Sequence, residues 1–371
     1  MNADAPSHAI EKPPALSLRG SAVLGARRLP PAIAVGLLCF VAALIADAVL
    51  KHETGLRGDD PYYERMATHP GGPHTFPYAY RVVVPWLVHV MPFSHATSFT
   101  LLALLSLAIT GAVLFVILRM FEIPAWLAAV LMIGLVLSPP ALVVLLRNGR
   151  NVDPESLLVL TLGILFILRR QKVALAITLL IGVGVRESTL FLIPFAYVVW
   201  AQRPFDRDAL KDVVYVAAVP ALLYLFMRTS IDAKGKEWPG TLLSARWAVI
   251  KEALRGNGWW VEGRRLAYTF GPLWIVAPLA LWTLKFARQG LVIVALSVVS
   301  MTFALDWGRV IFLAAPIFYV AAAHVVRDRR RLAIAMVATL LVMDLGYAVY
   351  MQAHGVDHGL NAPLIPTERV Y

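Results

Sequence analysis

The chain has 371 residues, 59% of them hydrophobic and only 15% charged, against about 25% charged residues in soluble domains. A water-soluble fold of this composition would have to hide too much apolar surface, so the class is an all-α polytopic membrane protein. The net charge of +11 brings nucleic acid to mind, but no basic domain stands apart from the apolar runs, which excludes that partner.

The elements follow in chain order. Residues 1–30 are polar and rich in Pro and Ala, ending at Arg27-Arg28, and are expected to form a disordered cytoplasmic tail. A cleaved signal peptide is the rival reading, because Ala46-Asp47-Ala48 mimics a cleavage site. The long apolar run and oversized leading segment argue against it. The first span is expected at 31–50; it contains the single cysteine, Cys39, so no intrachain disulfide can form and a cysteine metal site is not expected. Further spans are expected near 97–118, 124–146, 156–168, 173–185, 188–202, 212–228, 266–284, 290–305, 310–326 and 332–351. That gives about eleven transmembrane helices. The pieces 156–168, 173–185 and 188–202 are short for an apolar layer of about 30 Å. They read as broken helices, or as longer helices with polar ends lining a cavity. The stretch 79–92 is apolar but holds Arg81 and Pro85, and reads as a re-entrant or interfacial helix.

Arg119, Arg169-Arg170 with Lys172, Arg203/Arg207/Lys211, Lys285/Arg288 and Arg327 with Arg329-Arg330-Arg331 fall in every second turn between spans. These turns lie on the side of the N-terminus, which is therefore expected to be cytoplasmic. The positive excess is mainly this topology signal. The opposite side carries two long loops, 51–96 and 229–265, and a C-terminal tail, 352–371, with no large soluble domain. The single membrane domain is thus expected over 31–351.

The polar residues of the outer side fall into four groups. The first loop, GDDPYYERMATHPGGPHTFPYAYRVVVPW, offers Asp59, Asp60, Tyr62, Tyr63 and Arg81. The turn RNGRNVDPES offers Arg147, Arg150, Asp153 and Glu155. Arg186-Glu187 and Asp306-Trp307-Gly308-Arg309 are each wedged between apolar runs. A charge at membrane depth costs about 2.5–3.5 kcal/mol on insertion scales, so such groups face a cavity or pair with one another. Pairing alone would make them packing devices. As chemistry, the carboxylates can deprotonate a hydroxyl or hold a divalent cation. The arginines can fork onto phosphate and neutralise a phosphate leaving group. An outer cavity of acids and arginines therefore suits group transfer from a lipid-linked phosphate. Clustered carboxylates, Asp59 and Asp60 above all, make Mg²⁺ or Mn²⁺ a candidate cofactor. Tyr62, Tyr63, Trp238, Trp247, Trp259 and Trp260 could give flat faces to sugar rings, although such residues also gather at membrane interfaces.

Asp59-Asp60-Pro61-Tyr62-Tyr63, followed by Pro77-Tyr78-Ala79-Tyr80-Arg81-Val82-Val83-Val84-Pro85, resembles the first outer loop of bacterial integral-membrane glycosyltransferases of the GT-C superfamily. Gly149-Arg150-Asn151-Val152-Asp153 is similar to their second acidic turn, and Arg186-Glu187-Ser188 and Asp306-Trp307-Gly308-Arg309 to later polar turns. The resemblance spans most of residues 31–330. It implies a GT-C-like fold in the cytoplasmic (inner) membrane with the site facing outward. It also implies inverting sugar transfer from a polyprenyl-phosphate donor to a glycan, lipid or protein acceptor. A first-loop Asp acts as general base or metal ligand in that family, and here Asp59 and Asp60 compete for the role. Metal-free catalysis is also common in the superfamily. The resulting expectation is catalysis by Asp59, Asp60, Asp153 and Glu187. Substrate binding is expected from Tyr62, Tyr63, Arg81, Arg147, Arg150, Arg186, Asp306 and Arg309.

Other residues are weaker signals. Asp47 sits near the outer end of the first span, and Asp344 inside the last, where Gly346 and Tyr347 suggest a helix-packing hydrogen bond. His354 and His358 have zinc-like spacing, but Gly355 intervenes. Segment 242–256 reads as an amphipathic surface helix. Two other functions compete with this reading, although the charges cluster at one face of the membrane and the short cytoplasmic turns show no matching acidic set. A transporter or flippase of lipid-linked saccharides would spread charge along a path through the membrane. A noncatalytic membrane scaffold would tolerate substitution at all four polar groups.

Overall fold

A computed structural model describes residues 21–52, 56, 59–72, 74–233, 247, 250–251, 258–302 and 307–354. Among these residues the regular structure is helical throughout. Five helical stretches are long and apolar enough to cross a membrane: Pro30–Val49, His95–Met120, Arg207–Ser230, Trp307–Val326 and Arg330–Ala353. A sixth crossing results if α5 (Ala125–Leu137) and α6 (Pro139–Leu146), bent by 46° at their junction, count as one. That is fewer than the eleven expected from hydropathy, because several apolar runs are divided.

The divisions have local causes. Helix α8 (Lys172–Val185) stops at Arg186, whose backbone is extended, and a 3₁₀ turn over Glu187–Phe191 leads into α9 (Leu192–Trp200). Its 14 residues rise about 21 Å, short of the apolar layer. The run expected at 266–284 breaks at Gly271-Pro272. Gly271 takes φ +49°, which ends Gly258–Phe270, and single helical turns follow over Leu273–Val276 and Ala277–Leu281. The stretch 79–92 is a 3₁₀ turn, Tyr78–Tyr80, and an eight-residue helix α3, Val83–Val90. Most of the expected surface helix 242–256, together with Trp238, His358 and the tail 1–20, lies outside the described residues.

Of the five candidate crossings, Trp307–Val326 is the most enclosed, buried over 83% of its most apolar window. Pro30–Val49 and Arg207–Ser230 are largely exposed, at 33% and 28% buried, with Leu37, Ile45, Val214, Val219 and Leu222 pointing outward. Apolar faces left open in this way suggest a membrane protein. Helix α1 (Ser21–Val49) packs on α4 (His95–Met120) along a seam of small residues. A side chain at Gly111 would meet Cys39 Sγ at 2.6 Å, and one at Gly36 would meet Ala112 at 3.1 Å. Cys39 is fully buried in that seam.

Two features of this scaffold position the polar residues. Helix α7 (Asp153–Leu168) and α8 run antiparallel across a short turn, so the first residue of α7 and the residue just after α8 meet. Ahead of α7, Asn148 and Gly149 take left-handed backbone at φ 56° and 62°. Their amides close on the carbonyls of Leu145 and Val144 at the end of α6 (Pro139–Leu146). Gly149 also lies against α4, where a Cβ would sit 2.6 Å from the Phe99 carbonyl oxygen. Only glycine satisfies both constraints.

Candidate functional site

Four segments that are distant in sequence meet at the ends of α7 and α8. Helix α2 (Asp60–Thr68) opens with Asp59 at its cap and Pro61 in its first turn, a position where the missing amide costs nothing. The Asp59 carbonyl accepts the amides of Tyr62 and Tyr63 at 3.1 and 3.4 Å, which leaves its carboxylate free to face the neighbouring segments. That carboxylate receives three donors. Tyr78 Oη donates to Oδ1 at 2.6 Å, while Asn151 Nδ2 and Arg309 Nη2 donate to Oδ2 at 3.3 and 2.9 Å.

Arg309 joins two acids. Its Nη2 holds Asp59 and its Nε lies 3.4 Å from Asp153 Oδ2. The other Asp153 oxygen takes a hydrogen bond from Arg186 Nη1. Asn151 orders this end of α7, its Oδ1 accepting the amides of Val152 and Asp153. Arg81 forks onto Glu187 through Nη2 at 2.8 Å and Nε at 3.2 Å, while its Nη1 donates to Tyr63 Oη at 2.9 Å. Tyr63 meets Tyr78 edge to face at 5.4 Å, and Tyr62 stacks on the same ring at 4.5 Å and 10°. Arg81 covers the Tyr78 ring at 5.5 Å. The result is a partly enclosed web of three carboxylates, three guanidiniums and three tyrosines, with side chains of Asp59, Asp153 and Arg309 between 11 and 21% exposed.

Burial alone would push the Asp59 carboxyl up. The Arg309 charge, the Tyr78 and Arg309 hydrogen bonds and the Arg81 charge outweigh it and hold the group at about 2. Asp59 is therefore ionised, and a weak base for as long as Arg309 stays on it.

Of the residues expected from the sequence, Asp59, Tyr62, Tyr63, Arg81, Asp153, Arg186, Glu187 and Arg309 join one connected network. Arg150 takes a different partner. Its Nε binds Glu64 Oε2 at 2.9 Å, and Glu64 Oε1 pairs with His95 Nδ1 at 2.9 Å, tying α2 to the start of α4. Asp60 is buried in the first turn of α2, and Arg147 is buried just after α6. Asp306 lies outside the described residues. Tyr78, Asn151, Glu64 and His95 were not among the expected site residues. An Asn two residues before Asp-Pro at a helix start was a readable capping signal for Asn151.

The surroundings of Asp59 do not fit a hard cation. Its oxygens are taken by an arginine, a phenol and an amide, donors that compete with a metal rather than ligands that share one. Among the described residues no group of three or more His, Cys, Asp or Glu side chains is arranged around a common point.

Comparison of the sequence with protein-family models and with curated proteins gives no match.

Proposed function

We propose that this protein is a GT-C-type glycosyltransferase of the cytoplasmic membrane, with its N-terminus inside and its site facing outward. It transfers a sugar from a polyprenyl-phosphate donor to a glycan, lipid or protein acceptor. In this reading the shorter apolar helices complete the set of about eleven crossings. The observation that carries the proposal is the bridge from Arg309 to both Asp59 and Asp153. It gathers acid and base from segments up to 250 residues apart.

The chemistry follows from the donor's two halves. Its phosphate takes the guanidiniums of Arg186 and Arg309, which match phosphate oxygens as well as carboxylates. When Arg309 moves to phosphate, Asp59 loses its strongest partner and its carboxylate regains basicity. The acceptor oxygen then attacks the anomeric carbon, the bond from that carbon to the phosphate oxygen breaks, and Asp59 takes the acceptor proton. The leaving phosphate carries away the electron pair, and the two arginines stabilise its charge. Attack opposite the leaving group inverts the anomeric centre. The half-buried ring of Tyr62, backed by its stack on Tyr78, offers a flat apolar face for the sugar.

The test is a deletion strain complemented with wild type or Asp59→Asn. The proposal expects an envelope glycan that lacks one sugar in the deletion, restored only by wild type. An unchanged glycan profile in the deletion would remove the proposal.

A further inference from the structure

The 3₁₀ turn Tyr78–Tyr80 has two working sides. Residues three apart eclipse in this geometry, so Tyr78 and Arg81 project together, and both bind site residues. Tyr80 projects the other way. It is 3% exposed and packs with Met227 and Ala233 at the end of α10 (Arg207–Ser230). There Arg228 sits in a cage of rings. Its guanidinium carbon lies 4.2 Å from the Tyr80 ring centre, 5.1 Å from Tyr224 and 5.4 Å from Phe76. Its Nε donates to Tyr224 Oη at 3.0 Å, one helical turn back. Phe76 and Tyr80 meet edge to face at 6.2 Å.

We infer that Arg228 is a positioning residue: by caging its charge among Phe76, Tyr80 and Tyr224, it fixes the turn that presents Tyr78 and Arg81 to the site. The cation gives the contact direction, since it attracts the ring faces rather than any apolar surface. Tyr224 restrains the long side chain and lowers the entropy lost in holding it. Arg228 touches none of the acids of the web in the contacts above and acts through Tyr78 and Arg81. The consequence for catalysis rests on the glycosyltransferase reading. The consequence for the turn does not.

Two arms separate these consequences. The first is amide hydrogen exchange on the full chain in detergent. The amides of Ala79 and Arg81 are bonded to the carbonyls of Thr75 and Tyr78 and report directly on the turn. Arg228→Met should raise their exchange by roughly tenfold while α7 amides stay protected, and Arg228→Lys should recover most of the protection. Phe76→Leu, which thins the cage without touching Arg228, should give the same change more weakly. Unchanged exchange in R228M and F76L overturns the inference. The second arm is transfer kinetics. R228M should lower kcat by roughly five- to tenfold with little change in donor KM, and should not add to Tyr78→Phe. Full additivity would mean that Arg228 acts elsewhere and would overturn its positioning role. Absence of transfer by wild type would instead count against the proposed function and leave the exchange result standing.

Discussion

Replacing Asp59 with Asn removes one charge at nearly constant shape. In the structure that charge is met by Arg309 at 2.9 Å, with Tyr78 and Asn151 completing its donors. An amide keeps one acceptor: with its NH₂ at the Oδ2 position it faces both Asn151 and Arg309 donor to donor, and flipped it faces the Tyr78 hydroxyl, which must turn to accept. The carboxyl falls from its ordinary 3.8 to about 2 on folding. This corresponds to about 2 kcal/mol of stabilisation at neutral pH, reduced somewhat because the side chain is 21% exposed. The purified variant should therefore melt a few degrees lower yet remain folded. Its transfer rate should fall much further, by about 10²–10⁴-fold, the usual contribution of a general base. The assay is release of polyprenyl phosphate from a sugar-loaded donor at saturating acceptor, with melting measured on the same preparation. Asp60→Asn is the internal control. Asp60 is buried in the first turn of α2, so its loss should lower the yield of folded protein and leave the rate per folded molecule within a few-fold. A folded Asp59→Asn protein retaining more than about a tenth of wild-type transfer would refute the assignment of the base, and equal losses in both variants would refute the choice between the two acids.

Arg309→Gln should raise donor KM by roughly 10- to 100-fold, since it removes a charged phosphate contact; a variant with unchanged KM would show that the phosphate binds elsewhere. Arg150→Ala should change donor KM less than twofold and stability by less than about 1 kcal/mol, because its partly exposed pair with Glu64 lies outside the web; a large KM effect would restore it to the site. Gly149→Ala should destabilise by about 1–3 kcal/mol, because it strains a φ of +62° and presses on the Phe99 carbonyl; thermal melting reads this directly. The Asp59 group has a folded value below its unfolded one, so its stabilisation is complete above the ordinary carboxylate range. It is lost as pH falls from 3.8 through about 2. Asp59→Asn should flatten melting temperature against pH in that window, and an unaltered slope would contradict the electrostatic picture.

The membrane class was readable because 15% charge cannot cover a soluble surface. The main acids and bases were readable because charges wedged between apolar runs need partners. Asp153, Arg186, Glu187 and Arg309 were singled out on that ground, and all four have such partners. Their specific pairing was not readable, since it depends on how four segments fold back on one another. Arg150 illustrates the limit. It stands three residues from Asp153 but binds Glu64 of a different segment. The breaks inside the apolar runs were not readable for a similar reason. Hydropathy over 266–284 averages across Gly271-Pro272, whereas one left-handed backbone angle ends the helix there. Arg228, at the end of the expected 212–228 span, was not singled out, since its role comes from a cage of rings drawn from two segments far apart in sequence.

The central claim is covalent transfer on the outer face, and the most direct measurement is reconstitution into sealed liposomes with a polyprenyl-phosphate sugar labelled in the sugar. The account predicts label in a new covalent acceptor product, equimolar release of polyprenyl phosphate, and loss of both with Asp59→Asn. Label that crosses the bilayer still attached to its lipid, with no covalent product, would contradict it and identify a flippase instead.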